Sequence, residues 1–473
     1  MSIDPKLIEK TIRQVLSELP QTAFTDVAAP KEQVSKTGDG IFSDMDSAVE
    51  AAQQGWQEFM RCSMADRERF IQAIRDVMSV PENIRYMSEQ AVAESGMGNV
   101  EHKCIKNRIA AQDTPGTEDL ITEAWSGDDG LTTVEYSAFG VIGAITPTTN
   151  PTETITCNSI GMLAAGNAVV FSPHPRSKNI SLWQIRQINK ALAKVGAPKN
   201  LVVTVAEPSI ENTNKMMAHP HVRMLVATGG PGIVKTVLSS GKKAIGAGAG
   251  NPPVVVDATA DLDLAAKSIV DGASFDNNLP CTSEKECLVV EDVADLLKFK
   301  MVANGAYELS AQQTEKLEKI LVKDNRAATA WVGKSAEKIL AEIGDQAPAG
   351  TKLLIAEVGK DHPFAQVELM MPVLAVIRTP DVDTAIDWAV ELEHGNRHTA
   401  IMHSRDITAL TKFGKLIQTT IFVKNGPSYA GIGITGEGYP TFTIAGPTGE
   451  GLTSARSFAR KRRCALVQEL NIR

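Results

Sequence analysis

The stretch Leu163–Pro175, LAAGNAVVFSPHP, is the part of the sequence that best predicts the fold. Its small residues make a turn, and the apolar run Ala168–Ser172 has the length and composition of a buried strand. The strand ends in Ser-Pro-His-Pro, and residues 177–194 then carry a helical pattern. A buried strand followed by a turn and a helix is the repeating unit of a parallel sheet with crossover helices.

The same alternation extends to both sides of this stretch. A first series of strands is predicted at Val141–Thr146, Ala168–Ser172, Leu201–Val205, Val222–Thr228 and Lys243–Gly246, with helices over 177–194, 209–217 and from Gly232 onward. A second series is predicted at Val254–Asp257, Cys287–Glu291, Leu353–Glu357, Val373–Thr379, Thr399–Ser404 and Ile421–Asn425, with a helix over 261–273. We therefore expect an α/β protein with two parallel-sheet domains joined near residues 247–251.

The segments that flank these two series have weaker patterns. Residues 43–113 are predicted to be mostly helical. Thr132–Tyr136 is a β-rich run that we expect to form a hairpin with Val141–Thr146. Ser457–Arg473 is a basic and apolar segment for which we predict a strand.

The composition excludes several classes of function. With 473 residues, of which 43% are hydrophobic and 22% charged, the chain is long enough for two or three globular domains. Its formal net charge of −8 argues against nucleic acid as the main partner. No apolar run reaches the roughly 18 residues that span a bilayer, and the N-terminus lacks the layout of a secretory signal. We therefore expect neither a membrane partner nor export.

The cysteines predict a reduced, intracellular protein without a bound metal. They are Cys62, Cys104, Cys157, Cys281, Cys287 and Cys464. None forms a CxxC pair, and none stands with histidines at zinc-finger spacing, so no metal site is expected. A disulfide framework is not expected in so large a chain.

The first segment has the pattern of a short amphipathic helix followed by a linker. Apolar residues recur at spacings of three and four between Ser2 and Leu19, and Pro20 ends the pattern. Residues 21–40 have little apolar pattern, which predicts a linker. The helix either docks on its own domain or binds another protein through its apolar stripe, and the linker favours the second.

The block Phe275–Cys281, FDNNLPC, places a cysteine in a loop between a predicted helix and a predicted strand. A thiol in such a loop can be exposed and held by the backbone, whereas most cysteines are small buried apolar residues. The thiolate is the reactive form, so a nucleophilic role needs access and a lowered pKa. Cys281 is therefore a candidate nucleophile.

The block Ile145–Pro151, ITPTTNP, follows a predicted strand and places Asn150 among prolines. Pro147 and Pro151 restrain the backbone on both sides of it. A fixed carboxamide N–H can donate to a developing oxyanion, and the alternative is a plain turn asparagine.

Four further blocks follow predicted strands or small-residue turns and suit a bound cofactor. Ligands of open α/β sheets bind at the carboxyl ends of strands, where His174 lies, although a loop histidine would look the same. Val226–Gly232, VATGGPG, offers backbone N–H groups to a phosphate. Gly246–Pro253, GAGAGNPP, leaves room for a ligand on the backbone. Glu368 of ELMMP is either a surface carboxylate or the group that holds a ribose.

One glycine pattern is rejected as a dinucleotide fingerprint. Gly431, Gly433 and Gly436 match GxGxxG, but the fingerprint works only between a strand and a helix. The residues that follow, Tyr439–Phe442, do not open a helix. We expect a structural glycine-rich loop or a lining of the active-site mouth.

In this order and spacing, the blocks resemble the aldehyde dehydrogenase superfamily from about residue 40 to the end of the chain. TPTTNP, AAGNAVVFSPHP, GAGNPPVVVD, SFDNN with the following cysteine, ELMMPVL, FVKNGP and PTGEG look like the CoA-acylating acetaldehyde and propionaldehyde dehydrogenases of bacterial microcompartments. The resemblance implies NAD as cofactor and coenzyme A as cosubstrate, and NADP stays open because the first α/β domain offers no clear acidic residue to read the ribose. It implies an NAD-binding domain of residues 41–120 and 138–247, a catalytic domain of residues 248–455, and oligomerisation segments at 121–137 and 456–473.

The resemblance also implies roles for single residues. Cys281 matches the nucleophile, Asn150 the oxyanion-hole asparagine, and Glu368 the glutamate that holds the nicotinamide ribose. The residues that match the region where the dinucleotide lies are Thr146, Pro147, Thr148, His174, Pro175, Gly229, Gly230 and Gly248. No general base is evident, and His398 and His403 are expected to be structural.

Two departures separate this sequence from the hydrolytic members of the superfamily. Gly246 stands where those enzymes carry the glutamate that activates water, so coenzyme A is expected to take the acyl group instead. Val234 replaces the second glycine of the usual GxxxxG, so the pose of the pyrophosphate is not assigned. The alternatives are a non-acylating aldehyde dehydrogenase, an NADP-dependent reductase of an acyl phosphate, and a catalytically idle protein of a shell assembly.

The leading helix resembles the encapsulation peptides of microcompartment enzymes. That resemblance implies a shell protein as a partner through residues 2–19 and a cytoplasmic location inside a microcompartment. Its IRxxLSE pattern favours propionaldehyde over acetaldehyde, which differs by one methylene. The family also implies a homodimer or homotetramer.

Overall fold

The computed structural model describes residues 37–472. The helix predicted over residues 2–19 and nearly all of the linker lie outside the described residues. The α-helices are α1 (Met45–Phe59), α2 (Met64–Met78), α3 (Pro81–Ser95), α4 (Val100–Gln112), α5 (Pro151–Ala164), α6 (Lys178–Lys194), α7 (Ile210–Ala218), α8 (Pro231–Leu238), α9 (Leu262–Ser274), α10 (Glu291–Ala303), α11 (Ala311–Leu321), α12 (Ala336–Glu342), α13 (Pro363–Gln366), α14 (Val382–Leu392) and α15 (Ile407–Ile417).

The strands alternate with these helices through most of the chain. They are β1 (Ile41–Phe42), β2 (Glu123–Gly127), β3 (Gly130–Ala138), β4 (Val141–Thr146), β5 (Ala168–Pro173), β6 (Val202–Val205), β7 (Val222–Thr228), β8 (Lys243–Ala247), β9 (Pro253–Val256), β10 (Glu286–Val290), β11 (Ala306–Glu308), β12 (Val322–Lys323), β13 (Arg326–Ala327), β14 (Leu353–Glu357), β15 (Val373–Thr379), β16 (Thr399–His403), β17 (Ile421–Lys424), β18 (Ile444–Ala445), β19 (Gly451–Leu452) and β20 (Ala459–Val467). The strands predicted in the two series are confirmed to within one residue at each end.

Two parallel sheets organise the described residues. The first sheet has the strand order β1-β6-β5-β4-β7-β8, and the second has the order β11-β14-β15-β10-β9-β16-β17. All pairs within both sheets are parallel. The chain leaves the first sheet after Ala247 and enters the second at Pro253. The predicted α/β fold is confirmed, while the exact domain boundaries stay a prediction.

Both faces of the second sheet are covered, which explains its uninterrupted apolar strands. Val255 and Leu288 pack into one hydrophobic cluster, whereas Val254, Val256 and Cys287 pack into another. Neighbouring residues on a strand point to opposite faces, so β9 and β10 contribute to two cores at once. This burial fixes the register of the strands that carry the loops at the carboxyl edge.

The hairpin predicted between Thr132–Tyr136 and Val141–Thr146 is wrong. The strand β3 pairs antiparallel with β2 and β20, while β4 lies between β5 and β7 in the first sheet. Every residue of β4 is buried, so it needs cover on both faces and cannot belong to a surface ribbon. The Oδ1 atom of Asn167 accepts bonds from the backbone N–H groups of Phe139 and Gly140, and these bonds hold the chain where it turns from β3 into β4.

The remaining sequence predictions have mixed outcomes. The helical character of residues 43–113 is confirmed, and a strand, β20, forms within the segment predicted from Ser457 onward. The glycines at 431–436 lie in a short 3-10 turn and the bends after it, with no α-helix following, so rejecting a dinucleotide fingerprint there is confirmed. Across residues 37–472, no helix combines the length and apolarity that a membrane crossing requires.

Candidate active site

A cleft with a volume of about 320 Å³ opens at the carboxyl edge of the first sheet. One wall is built from residues that follow β4, β5, β7 and β8, and the other from residues of the second half of the chain. Cys281, Asn150 and Glu368, the three residues with separate predicted roles, all line this cleft. The fold therefore brings together side chains that are more than 200 positions apart in the sequence.

The loop that carries Cys281 has an unusual backbone conformation. Three successive residues, Asp276, Asn277 and Asn278, have φ angles of 49°, 55° and 63°. Asp and Asn tolerate this left-handed region better than other side chains, which explains the residue types found here. The Nδ2 atom of Asn278 donates to the carbonyl oxygens of Ala273 at 2.8 Å and of Glu284 at 2.9 Å, so the loop is held at both ends.

The thiol of Cys281 is half-buried and reaches the cleft. Burial, together with the negative charge of Glu368, raises the pKa of Cys281 to about 12, while Lys285 acts in the opposite direction. The access expected of a nucleophile is present, but the expectation of a lowered pKa is wrong for the protein itself. A neutral thiol at physiological pH needs a partner that takes its proton.

The side chain of Asn150 is fixed by a buried lysine. It follows β4 and precedes Pro151, the first residue of α5. The Nζ atom of Lys106 donates to Oδ1 of Asn150 at 2.5 Å. The Nδ2 atom donates to Oγ1 of Thr149 at 3.2 Å, and the residue is only 6% exposed. Its second N–H remains available to a group in the cleft.

The predicted cofactor residues line the cleft and a second hollow that adjoins it. The second hollow has a volume of about 310 Å³ and lies along the ends of β4, β5 and β7. Its walls include Thr146, Pro147, His174, Pro175, Gly229 and Gly230. The cleft includes Pro147, Thr148, His174, Gly229, Gly230, Gly248 and Glu368. All nine predicted cofactor residues therefore border one continuous groove.

The groove has the chemistry that a dinucleotide needs. The Oγ1 atom of Thr146 is buried there without a hydrogen-bond partner. A Cβ atom on Gly230 or Gly248 would meet nothing within 4 Å, so the backbone at both positions is open to a ligand. The helix α8 begins after Gly230 and points its N-terminal N–H groups at this space. These residues fit an extended ligand that carries phosphate groups.

Glu368 is a cleft residue and not a surface carboxylate. Its Oε1 atom accepts a bond from the backbone N–H of Gly250 at 3.2 Å. Burial raises its pKa, and Lys285 partly offsets this. The carboxylate is thus held by the backbone in the cleft that Cys281 also lines.

The sequence analysis did not single out the buried lysines Lys103 and Lys106, and it took His398 to be structural. The ring of His398 and the carbonyl oxygen of Cys281 both lie 2.9 Å from the point that a Cβ on Gly250 would occupy. His398 is 1% exposed, and its Nε2 atom is buried without a partner. Burial lowers its pKa to about 4, so the ring is a neutral acceptor at physiological pH. No pattern around HGNRHTA in the sequence points to this placement.

The sequence matches the model of the aldehyde dehydrogenase family over residues 21–435. The chain belongs to this family. The match spans both parallel sheets and the three cleft residues Cys281, Asn150 and Glu368. The predicted family resemblance is confirmed.

Three similar proteins have named activities. A propionaldehyde dehydrogenase of Rhodopseudomonas palustris, solved with bound CoA and an acylated cysteine, is 63% identical with a TM-score of 0.91, covering 92% of this chain and 100% of that one. A propionaldehyde dehydrogenase from the fucose utilisation microcompartment of Clostridium phytofermentans is 48% identical with a TM-score of 0.90, over 92% and 100% of the two chains. The acetylating acetaldehyde dehydrogenase EutE of Escherichia coli is 46% identical over 98% of this chain and 99% of its own length.

Proposed function

We propose that this protein oxidises a short-chain aldehyde with NAD and transfers the acyl group to coenzyme A through a thioester on Cys281. The observation that carries the proposal is the meeting of Cys281, Asn150 and Glu368 in one cleft, in a chain that has glycine at position 246. Relatives that share 46% to 63% of the sequence carry CoA-acylating names or an acylated cysteine beside bound CoA.

The first chemical step is attack of the Cys281 sulfur on the aldehyde carbonyl. In this scheme the proton of the thiol passes to the neutral ring of His398, whose Nε2 is buried without a partner and whose ring packs around Gly250 together with the carbonyl oxygen of Cys281. The Nδ2 atom of Asn150 and the backbone N–H of Cys281 stabilise the oxyanion of the thiohemiacetal. Such donors are worth about 3 kcal/mol each.

Oxidation then converts the thiohemiacetal into a thioester on the same sulfur. In this proposal Glu368 would hold the nicotinamide ribose of NAD and the open backbone at Gly230 would hold its phosphates, and the bound cofactor would accept the hydride.

Transfer to coenzyme A completes the cycle. Position 246, where the hydrolytic enzymes carry a glutamate, holds a glycine, so this chain provides no carboxylate there to activate water. A thiol is a good nucleophile toward a thioester, so coenzyme A enters the cleft and takes the acyl group. The scheme is a covalent ping-pong cycle.

The decisive assay follows NADH formation from C2, C3 and C4 aldehydes with and without coenzyme A. The wild type should show a burst without coenzyme A and steady turnover with it, whereas Cys281→Ala should show neither. Cys62→Ala is a matched control, since Cys62 is also half-buried but does not line the cleft. Steady turnover without coenzyme A, or an active Cys281→Ala variant, would refute the proposal.

The aldehyde we favour is propionaldehyde, in line with the two propionaldehyde dehydrogenases that share 63% and 48% of the sequence. Acetaldehyde is the alternative, because one methylene changes binding in an apolar pocket by only about 1–3 kcal/mol. For location and partners, we propose that residues 2–19 dock on the shell of a cytoplasmic microcompartment and that the enzyme is a homodimer or homotetramer.

A further inference from the structure

Four charged side chains are buried next to Asn150. Lys103, Lys106, Glu153 and Asp276 are each no more than 1% exposed. The Nζ atom of Lys106 lies 2.6 Å from Oδ2 of Asp276 and 3.1 Å from Oε1 of Glu153, and Nζ of Lys103 lies 3.0 Å from the same Asp276 oxygen. We call these four residues the buried quartet. Its two lysines and two carboxylates give it no net charge.

Stability alone does not account for the buried quartet. Removing ions from water costs free energy that their mutual attraction often fails to recover, and apolar replacements of buried ion pairs are commonly neutral or stabilising. Burial would lower the pKa of Lys106, yet Asp276 and Glu153 hold it above its usual value, so the ammonium stays charged. A charge maintained at this cost beside a cleft points to a task in the cleft.

Lys106 determines which way the Asn150 carboxamide faces. An ammonium group has only donors, so the Asn150 atom 2.5 Å from Nζ must be the carbonyl oxygen. The amide nitrogen is thereby turned away from Lys106 and cannot exchange places with the oxygen. A positive charge on the carbonyl oxygen also withdraws electrons from the nitrogen, which makes its N–H groups stronger donors.

The same ammonium also reaches the Cys281 loop. Asp276 stands five residues before Cys281 in the left-handed turn, and its Oδ1 atom accepts a bond from the backbone N–H of Asn99 at 2.6 Å. The backbone around Gly98 packs closely on it, since a Cβ there would lie 2.4 Å from Oδ1 of Asp276. Lys106 therefore contacts Asn150 directly and holds the turn that leads to the backbone N–H of Cys281.

We propose that Lys106 is a positioning residue that orients and polarises Asn150 and ties it to the Cys281 loop, so that both oxyanion donors face one point. The role rests on the proposed function, because it acts through the oxyanion formed on the aldehyde. It makes Lys106 a residue whose loss slows acylation without weakening the binding of NAD or aldehyde.

The test is a double-mutant cycle on the rate of the NADH burst in a single turnover at saturating NAD. Asn150→Ala should slow the burst by about 10²–10³-fold, the range found when one oxyanion donor is removed. The charge-balanced variant Lys106→Met with Glu153→Gln keeps the pair of Lys103 and Asp276 and should slow it by about 10-fold or more, with KM for propionaldehyde within about threefold of wild type. Adding Asn150→Ala to that variant should slow the burst no further than Asn150→Ala alone.

Lys103→Met is the matched control. Lys103 is as buried as Lys106 and shares Asp276, but it contacts the carbonyl oxygen of Thr149 and not the Asn150 side chain. In the variant that combines Lys103→Met with Asn150→Ala, the rate of the NADH burst should fall by the product of the two single effects. Circular dichroism and the melting temperature of each variant show that the compared proteins are folded.

If the Lys106 and Asn150 substitutions slow the NADH burst by factors that multiply in folded variants, the positioning role would be overturned. A Lys106 variant with a normal burst rate would overturn it too. Both results are separate from a failure of the proposed function, which would show itself in the wild type as a missing NADH burst or turnover that ignores coenzyme A.

Discussion

The Cγ1 atom of Val234 lies 2.7 Å from the position that a Cβ atom on Gly246 would occupy. Gly246 and Val234 are the two positions at which the family resemblance predicts departures from the hydrolytic enzymes, namely an absent glutamate and an incomplete GxxxxG pattern. The two departures are thus in contact: the valine of α8 takes the space that any side chain on β8 at this position would need. The side chain at position 234 and any side chain at position 246 would therefore compete for the same space.

Gly246→Ala should therefore destabilise the protein by about 1–3 kcal/mol, the usual cost of overpacking. Val234→Ala removes the Cγ1 atom. In that background, Gly246→Ala should lower the free energy of unfolding by less than it does in the wild type. Urea unfolding of the two single variants and the double variant measures the coupling. Additive losses would mean that the contact has no energetic weight.

The alkylation rate of Cys281 should depend steeply on pH. Because burial and Glu368 raise the pKa of this thiol to about 12, the thiolate fraction stays small and should grow about tenfold per pH unit between pH 7 and 9. The rate is measured with iodoacetamide and corrected by the Cys281→Ala variant. A plateau near neutral pH would contradict the raised pKa.

Glu368→Gln should make Cys281 react faster with iodoacetamide at pH 8. The negative charge of Glu368 disfavours the thiolate, so its removal lowers the pKa of the thiol and raises the thiolate fraction. The same variant should bind NAD more weakly if the carboxylate holds the ribose. Unchanged alkylation would show that the two groups do not interact.

His398→Ala should slow the NADH burst at pH 7 by at least about 10²-fold, the lower end for loss of a proton-transfer group. Because burial lowers the pKa of His398 to about 4, the burst of the wild type should not lose this base until the pH falls below about 5. His403→Ala is the matched control, since His403 is equally buried and has its pKa lowered to about 4, but stands at the other end of β16 and not among the groups nearest to Gly250. If His398→Ala keeps a normal burst but transfers the acyl group slowly to coenzyme A, His398 would act as a base in the transfer to coenzyme A and not in the attack of Cys281 on the aldehyde.

Deletion of residues 1–20 should leave the NADH burst and turnover intact but stop co-purification with microcompartment shells. The apolar stripe between Ser2 and Leu19 would bind the shell, and the following linker would keep it apart from the cleft. Binding of the tagged peptide alone to purified shells is the complementary measurement. Loss of activity on deletion would favour a helix docked on its own domain.

The sequence predicted the sheets and the cofactor groove well because both depend on local patterns. A strand buried on both faces, such as β9, is an uninterrupted apolar run, and the glycine and proline before it mark where it begins. The carboxyl ends of parallel strands meet at one edge, so residues as distant as Thr146 and Gly229, which line the same hollow, could be placed together from the sequence.

The sequence failed where a local pattern was overridden by burial. In α4, the buried positions Lys103, Lys106, Asn107, Ala110 and Ala111 follow a helical stripe in which charges occupy the inner side. An analysis of periodicity places lysines toward solvent, so the buried quartet could not be predicted. The position of His398 could not be predicted for a related reason, since its ring and the carbonyl oxygen of Cys281 come together only in the packing around Gly250.

The covalent role of Cys281 is tested most directly by the intact mass of the protein after exposure to propionaldehyde and NAD without coenzyme A. We expect the mass of one propionyl group to appear, to map to the peptide that contains Cys281, and to disappear when coenzyme A is added. A protein that forms NADH while its mass stays unchanged, or that keeps the acyl group in the presence of coenzyme A, would contradict the proposed thioester cycle.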